Sequence, residues 1–223
     1  MPVSAPVPAL SHLAQRMREI DLTPRRPSGP VGPAPSWSAV HRGVASWVDG
    51  PVLRALLRQH LATLDPGDAD ALAARSRETT THFAWCLRDN PDEPFTFWLH
   101  EYKPRHEWRP GYADSVHNHR YDFCTVILRG GYRHERYETT IDPGTGLISA
   151  ARMTRRTECV AGDSGFLTTG DFHRIPRAED GTMTFLVKSR PVHRWSLSWD
   201  PATGTAHRHV PVESRLADLS RRL

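Results

Sequence analysis

The residues best suited to chemistry in this chain are His117, His119 and His173. His117 and His119 are separated by one residue within a predicted strand, so both imidazoles point to the same face of a sheet. His173 lies on a later predicted strand, which a barrel can bring beside the first pair. Three neutral imidazoles hold a divalent ion and leave coordination positions open, which is typical of a catalytic site. We therefore predict that these residues bind one metal ion.

The segments around these histidines resemble the two sequence motifs of the cupin family. The residues in register are Gly111, His117, His119 and Gly131 in the first motif, and Gly162, Gly170 and His173 in the second. Elsewhere the motifs are altered: Cys124 stands where Glu is usual, Thr168 replaces Pro, and Arg177 replaces Asn. The resemblance extends over residues 88–199 and implies a β-barrel that holds a metal ion.

Further details resemble the cysteine dioxygenase branch of the cupins. They are Cys124 at its distance from the second histidine, the spacing Trp108-x-x-Gly111-x-x-x-Ser115, and the pair His173-Arg174. In that branch three histidines hold Fe(II), and a thiol substrate and O2 take the open positions. An arginine on an earlier strand grips the substrate carboxylate, and Arg88 is similar to it in position. The resemblance thus implies Fe(II) as the cofactor and an oxygenase activity.

The predicted substrate-binding residues are Arg88, Cys124, Trp108 and Tyr121. Arg88 has a structural alternative, which is an ion pair with Asp89 or Asp92. Cys124 has one as well, because free cysteines are often plain core residues. Aromatic residues such as Trp108 and Tyr121 also pack frequently in cores.

The strand that precedes Pro191 departs from the cysteine dioxygenases. In those enzymes a tyrosine there cross-links to the cysteine, whereas Lys188 or a neighbour stands in its place here. Cys124 therefore has no expected cross-link partner, and free cysteine is not the expected substrate. A buried lysine shifts its pKa readily. Lys188 is consequently the predicted catalytic residue, as a proton donor or as an anion site.

Together these residues predict a non-heme Fe(II)-dependent oxygenase, similar to thiol dioxygenases, that acts on a small carboxylate-bearing molecule. Amino-acid-derived substrates are among the candidates. The alternative is a non-oxidative isomerase, lyase or cyclase, because imidazole also suits zinc and nickel. A ligand-binding sensor is a third interpretation. It is disfavoured because the sequence shows no DNA-reading helix pair that would serve as an output domain.

Other histidines could mimic this pattern. His100 lies in the aromatic segment FTFWLHEY and could face the barrel interior or be an ordinary hydrogen-bonded strand residue. His207 and His209 repeat the His-x-His spacing, but they lie in a polar segment without a partner motif. We predict that this second pair is solvated.

From about residue 79 onward, short segments rich in Thr, Val, Phe, Trp and Tyr alternate with turn clusters. The predicted strands are residues 80–87, 95–102, 115–119, 124–128, 132–139, 151–160, 164–168, 172–177, 182–189 and 194–199. Many short strands without long helices indicate a mainly β protein. Together with the cupin resemblance they predict a jelly-roll β-barrel, with a few N-terminal helices packed outside.

Apolar residues at helical spacing precede these strands. They predict a helix at residues 8–20, a second helix with Asp49 as its cap, Pro51 in its first turn and an apolar stripe over residues 53–64, and a third near residues 68–77. The proline-rich residues 23–37 predict a linker or a surface arm. The chain is accordingly divided into a helical and proline-rich extension (1–78), a cupin barrel (79–212) and a short C-terminal helix (213–223).

Composition limits the partners. The net charge is +4, only Lys103 and Lys188 are lysines among the 29 basic residues, and no long basic run is present. Nucleic acid is therefore not an expected partner. Neither a signal peptide nor an apolar span is predicted, and the 3 cysteines suit reduced cytoplasmic thiols. We expect a cytoplasmic monomer or homodimer that binds a small molecule and O2.

Overall fold

The structure is a computed structural model that describes residues 10–18, 37–47, 50–211, 219 and 221–222. Within these residues the longer helices are α1 (Leu10–Arg18), α2 (Trp37–Trp47), α3 (Gly50–Ala62) and α4 (Pro66–Arg75). Short 3-10 turns occupy Arg105–Glu107 and Tyr112–Asp114. The strands are β1 (Arg77–Glu78), β2 (His82–Arg88), β3 (Phe95–Tyr102), β4 (Val116–His117), β5 (Phe123–Arg129), β6 (Gly131–Ile141), β7 (Ile148–Val160), β8 (Ser164–Leu167), β9 (Phe172–Ala178), β10 (Met183–Ser189), β11 (Ser196–Trp199) and β12 (Ala206–His209).

The strands form two antiparallel sheets. Sheet I has the order β1-β2-β3-β10-β5-β8, and sheet II has the order β12-β11-β4-β9-β6-β7. Strands distant in the chain are neighbours, because β10 lies between β3 and β5, and β9 lies between β4 and β6. This confirms the predicted mainly β fold, and the two-sheet arrangement is consistent with a jelly roll. Within the described residues neither sheet closes on itself.

The two faces of sheet I have different environments because successive strand residues point to opposite sides. On β10, Phe185 and Val187 are buried against the N-terminal helices, whereas Thr184, Leu186 and Lys188 line a cavity. The outer apolar cluster includes Leu10, Leu13, Met17, Val40, Val44, Leu53 and Leu56 from the helices, and Phe95, Phe97, Cys124 and Val126 from the sheet. The apolar stripes of the helices therefore cover one face of sheet I, and the other face borders the cavity.

Side-chain hydrogen bonds fasten the helices to this sheet. Arg54 of α3 donates from Nη1 to the carbonyl oxygen of Leu128 at 3.0 Å. Nε2 of His60 lies 2.7 Å from the carbonyl oxygen of Leu87. The helix α4 begins at Pro66, and Oδ1 of Asp65 accepts from the backbone N–H of Asp68 at 2.8 Å. These contacts fix the helical layer relative to the strands that line the cavity.

All ten predicted strands overlap strands of the structure, and the segment at Phe95–Tyr102 matches at both ends. The short strands β1 and β12 were not predicted. The helix predicted at 8–20 is described at Leu10–Arg18. Most of the proline-rich arm, Asp49 and most of the C-terminal segment lie outside the described residues. The division into an extension and a barrel stays a prediction.

Among the described residues, the helices are too short or too polar to serve as membrane spans.

Candidate metal centre

Two neighbouring strands of sheet II, β4 and β9, bring the key histidines together. His117 on β4 is the antiparallel partner of His173 on β9, and His119 follows two residues after His117. The nitrogen atoms that could serve as ligands on these three rings all lie within 4.8 Å of one another. The structure thus places the three histidines that the sequence singled out in one cluster.

Two of the rings already have a spacing that a shared ion requires. Nε2 of His119 lies 2.9 Å from Nε2 of His173. Two imidazole ligands at right angles on one ion, each about 2.1 Å from it, would have nitrogens about 3 Å apart. Without an ion, two facing Nε2 atoms must share a single proton to avoid repulsion between lone pairs. The observed spacing therefore fits a divalent metal.

A backbone contact sets the tautomer of His117. Its Nδ1 lies 2.8 Å from the carbonyl oxygen of Ser115. Since a carbonyl oxygen only accepts, Nδ1 carries the proton and Nε2 keeps its lone pair. This is the ligand form of a histidine whose other nitrogen is held by a second group.

The environment keeps these imidazoles neutral. Burial lowers the pKa of His117 to about 4. Burial is also the main reason that the pKa values of His119 and His173 lie well below the ordinary value of 6.5, and the neighbouring histidines add to the effect. Neutral imidazole is the form that binds a metal, so the rings are ready to coordinate near neutral pH.

The loop between the first two ligands is anchored by Asn118. Its side-chain amide donates to the carbonyl oxygen of Thr169 at 2.9 Å, and its Oδ1 accepts from the backbone N–H of Leu197 at 2.7 Å. The hydroxyl of Tyr112 donates to the carbonyl oxygen of Asn118, and its ring centroid lies 4.5 Å from that of His117. This network restrains the backbone from which both His117 and His119 project.

A fourth histidine, His134 on β6, supports the cluster. Its Nε2 lies 3.1 Å from Nδ1 of His173. If His173 presents Nε2 to a metal, its Nδ1 carries a proton and donates it to His134. The sequence analysis missed His134. The signal that could have found it is strand alternation, since Tyr132, His134 and Arg136 occupy every second position and line the cavity.

The cluster opens into a cavity of about 900 Å³. Its walls come from the inward positions of both sheets, such as Trp98 and His100 on β3, Phe123 on β5 and Leu186 on β10. Basic lining residues outnumber acidic ones: Arg77, Arg120, Arg136, Arg155, Arg190 and Lys188 stand against Asp89 and Asp163. A cavity of this charge favours an anionic small molecule.

Lys188 and Tyr121 both lie on the cavity wall, where the sequence predicted functional residues. The Tyr121 ring stacks on His119, with centroids 5.3 Å apart, and Nζ of Lys188 lies 5.1 Å from the Tyr121 ring. Nζ of Lys188 also lies 3.3 Å from Nε2 of His100 and 4.4 Å from the Trp98 ring. Burial lowers the pKa of Lys188 to about 7. His100 lines the cavity and contacts Lys188, so it faces the interior, which was one of the two positions considered for it from the sequence.

Arg88 lies elsewhere. It donates from Nε and Nη2 to the two carboxylate oxygens of Glu93, at 2.9 and 2.6 Å, and it is not part of the cavity wall. Sequence reasoning proposed a substrate clamp or an ion pair with Asp89 or Asp92. The structure supports a structural ion pair, but with Glu93, because the turn after β2 brings that carboxylate back to the guanidinium.

Cys124 and Trp108 also do not line the cavity. Cys124 is buried among the outer apolar residues because it alternates with the inward residues Phe123 and Thr125. Burial raises the pKa of its thiol to about 12, which leaves it protonated. The indole of Trp108 donates to the carbonyl oxygen of Lys103 at 3.0 Å, near the outer turn. Neither residue borders the cavity, and a role for them in substrate binding stays a prediction.

His209 is also placed differently from the prediction. It lies on β12, contributes to the cavity wall, and its Nε2 is 2.6 Å from Oγ of Ser198. His207 on the same strand is exposed, as expected for a solvated residue. The segment was treated as a tail because it is polar, but it pairs with β11 and extends sheet II.

No family model matches the chain, and no curated protein matches it. Among solved structures, oxalate decarboxylase from Bacillus subtilis at pH 4.6 aligns at 18% identity, with 65% of this chain and 34% of that chain covered and a TM-score of 0.36. KdgF from Halomonas sp. aligns at 13% identity, with 53% and 88% covered and a TM-score of 0.35. The aligned part thus spans about a third of the oxalate decarboxylase chain.

Proposed function

We propose that this chain is a cupin-type metalloenzyme that binds one divalent ion on His117, His119 and His173 and converts a small anionic substrate in the adjoining cavity. The observation that carries the proposal is the convergence of three buried or half-buried neutral imidazoles at the wall of a cavity with a basic lining. Such a ligand set leaves positions for substrate, as catalytic metal sites do and closed structural sites do not.

A divalent ion held by three neutral ligands would supply Lewis acidity, and iron would in addition supply chemistry with O2. The chain's own residues would do the rest. His134 would hold the ring of His173, and Tyr121 would form a wall beside His119. The aromatic and aliphatic lining would exclude water from the bound substrate. Lys188 would hold or transfer a proton at its Nζ atom, since its pKa of about 7 is well matched to neutral pH.

The first candidate activity is the Fe(II)-dependent oxygenase that the resemblance to thiol dioxygenases implies. Its support is the histidine set together with the aligned Cys124 position in the sequence. The displacement of Arg88 and Cys124 from the cavity removes two features that would recognise a thiol amino acid. We therefore propose a small substrate without a required thiol, whose carboxylate would be recognised by the basic lining of the cavity.

The second candidate is a non-oxidative isomerase, lyase or cyclase that uses zinc, nickel or another divalent ion. The observation that favours it is Lys188, because a lysine whose pKa lies near 7 can both accept and donate a proton. Isomerisations and eliminations require such transfers next to a Lewis acid, whereas delivery of oxygen to a substrate does not depend on them.

One experiment separates the two activities. The full chain is loaded with Fe(II) under anaerobic conditions, its metal content is measured, and O2 consumption is followed with cysteine, other small thiols, amino acids and simple carboxylic acids. Consumption with one class would support the oxygenase. Conversion of a substrate without O2 consumption, seen by NMR and also with zinc or nickel, would support the non-oxidative enzyme. A chain that retains no divalent metal would contradict both.

A further inference from the structure

Lys188 is a buried cation without an anionic partner. Its side chain projects from β10, the residue is 7% exposed, and it makes no ion pair with a carboxylate among the residues that the structure describes. Nζ instead contacts Nε2 of His100 at 3.3 Å and lies over the rings of Trp98 and Tyr121. Buried charges in proteins are nearly always paired, so an unpaired one that borders a cavity indicates a missing anion.

The groups around Lys188 do not supply that anion. His100 stacks on His82 with centroids 4.3 Å apart, and Nδ1 of His82 lies 2.9 Å from Oγ1 of Thr81. The guanidinium carbon of Arg77, on β1 of the same sheet, lies 5.7 Å from the Trp98 ring. The ionisable side chains that β1 and β3 bring to the cavity wall are Arg77, His100 and Tyr102, and none of them is an anion near neutral pH.

The two carboxylates of the cavity lining are already engaged. Asp89 forms ion pairs with Arg75, at 2.8 Å, and with Arg190. Asp163 accepts from the backbone N–H of Val160 at 2.8 Å. Neither therefore serves as the counter-ion of Lys188, and the cavity retains a positive charge that a ligand can neutralise.

We propose that Lys188 and His100 form the seat for the carboxylate of the substrate, across the cavity from the three-histidine cluster. This inference rests on the proposed function and replaces Arg88 as the carboxylate-binding residue. The substrate would be a small carboxylate whose reacting atoms reach His117, His119 and His173. It would be short, because one ring separates the two sites: Tyr121 stacks on His119 with centroids 5.3 Å apart and lies 5.1 Å from Nζ of Lys188.

A carboxylate fits this seat better than a phosphate does. Nζ of Lys188 is a single compact charge, enclosed by the Trp98 and Tyr121 rings. A phosphate dianion is usually met by an arginine fork or by a row of backbone N–H groups, and neither is part of this seat. Nε2 of His100 would accept from the charged Nζ of Lys188 and so hold the ammonium in place for the bound monoanion.

The test uses the metal-loaded full chain, whose metal content is measured first, with sodium propionate, inorganic phosphate and the neutral propionamide as probes in calorimetric titrations. We expect propionate to bind and propionamide not to bind. Lys188→Met should weaken propionate binding by about tenfold or more, since a charged hydrogen bond is lost. Arg129→Gln, which removes the same charge from an exposed site on β5, should leave the affinity within about twofold.

Labelling of lysine amines provides a second measurement that needs no variant. Lys103 is 2% exposed and paired with Glu78, so it is an internal reference for Lys188. Propionate should slow reductive methylation of Lys188, as mapped by mass spectrometry, and leave Lys103 unaffected.

Unchanged propionate affinity in Lys188→Met, or unchanged labelling of Lys188 at saturating propionate, would overturn the proposed seat. Phosphate binding tighter than propionate, with the same dependence on Lys188, would overturn the carboxylate class. These results are distinguishable from failure of the proposed function, which would show as absence of bound metal in the wild-type chain while propionate still protects Lys188.

Discussion

Nε2 of His134 lies 3.1 Å from Nδ1 of His173, so the ring of His173 is held at the nitrogen opposite its contact with His119. A group in this position fixes the tautomer of a metal ligand and makes the ligand nitrogen a better donor. His134 is half-buried in the cavity wall, and desolvation lowers its pKa to about 4, so it is a neutral acceptor near pH 7.

Substituting His134 should therefore weaken metal binding without removing it. We expect His134→Ala to raise the dissociation constant of the divalent ion by about 10- to 100-fold. His134→Gln is the matched control, because its amide oxygen can still accept from Nδ1 of His173, and it should recover most of the affinity. Titration with a competing chelator measures both constants. Equal affinity in wild type and His134→Ala would show that this contact does not support the ligand.

The stability of the metal-free protein should depend on pH through His82. Burial lowers the pKa of His82 from 6.5 to about 3. Between these values the unfolded chain binds a proton that the folded chain does not, so the free energy of unfolding falls as the pH is lowered from 6.5 toward 3. His82→Gln should flatten this decline in urea titrations, by an amount on the order of 1–3 kcal/mol across the window.

The exposed His106 provides the control for that experiment. Its side chain is 80% exposed, so His106→Gln should leave the pH profile of unfolding unchanged. A profile for His82→Gln that is parallel to the wild-type profile would mean that His82 titrates in the folded chain as it does in the unfolded one.

Replacing Lys188 should stabilise the fold. Burial lowers its pKa from 10.5 to about 7, so between these values the unfolded state binds a proton that the folded state lacks. The resulting penalty is complete below pH 7 and disappears as the pH rises to 10.5. We expect Lys188→Met to increase the free energy of unfolding near pH 7 by an amount on the order of 1–3 kcal/mol, and the gain to vanish above about pH 10.5. A destabilised variant at neutral pH would show that Lys188 has a favourable partner.

Arg88 should matter for stability and not for ligand binding. Glu93 is 5% exposed and would lose a two-pronged ion pair in Arg88→Met. The guanidinium is partly exposed, so we expect a loss on the order of 1–3 kcal/mol in the free energy of unfolding. Metal content and propionate affinity should stay at wild-type values. Loss of propionate binding in a variant that remains folded would restore Arg88 as the clamp.

The strands and the three-histidine cluster could be predicted from the sequence, because the alternation of side chains along a strand determines which residues share a face. His117 and His119 have the two-residue spacing that places them on one face of a strand. His173 lies on another predicted strand. The strand segments themselves are marked by aromatic and β-branched residues between turn clusters. These patterns depend only on residues that are close in the sequence. The predicted strands and the histidine cluster therefore agree with the structure.

The positions of Cys124, Arg88 and His209 relative to the cavity depend on contacts with other parts of the chain, which one sequence segment does not contain. Cys124 matches a motif position, but its neighbours Phe123 and Thr125 take the inward face, so alternation alone would have placed it outside. Arg88 was assigned by analogy, while its partner Glu93 is brought to it by the turn that joins β2 and β3. The polar segment containing His209 became a strand because β11 offered a free edge for pairing.

The central claim is that His117, His119 and His173 hold one metal ion, and metal analysis of the purified, metal-loaded chain tests it most directly. Wild type and His207→Ala, which removes the exposed histidine of the second His-x-His pair, are each predicted to bind about one divalent ion per chain. His173→Ala is predicted to lose the ion while circular dichroism shows an unchanged fold. A full equivalent of tightly bound metal in His173→Ala, or none in the wild type, would contradict the account.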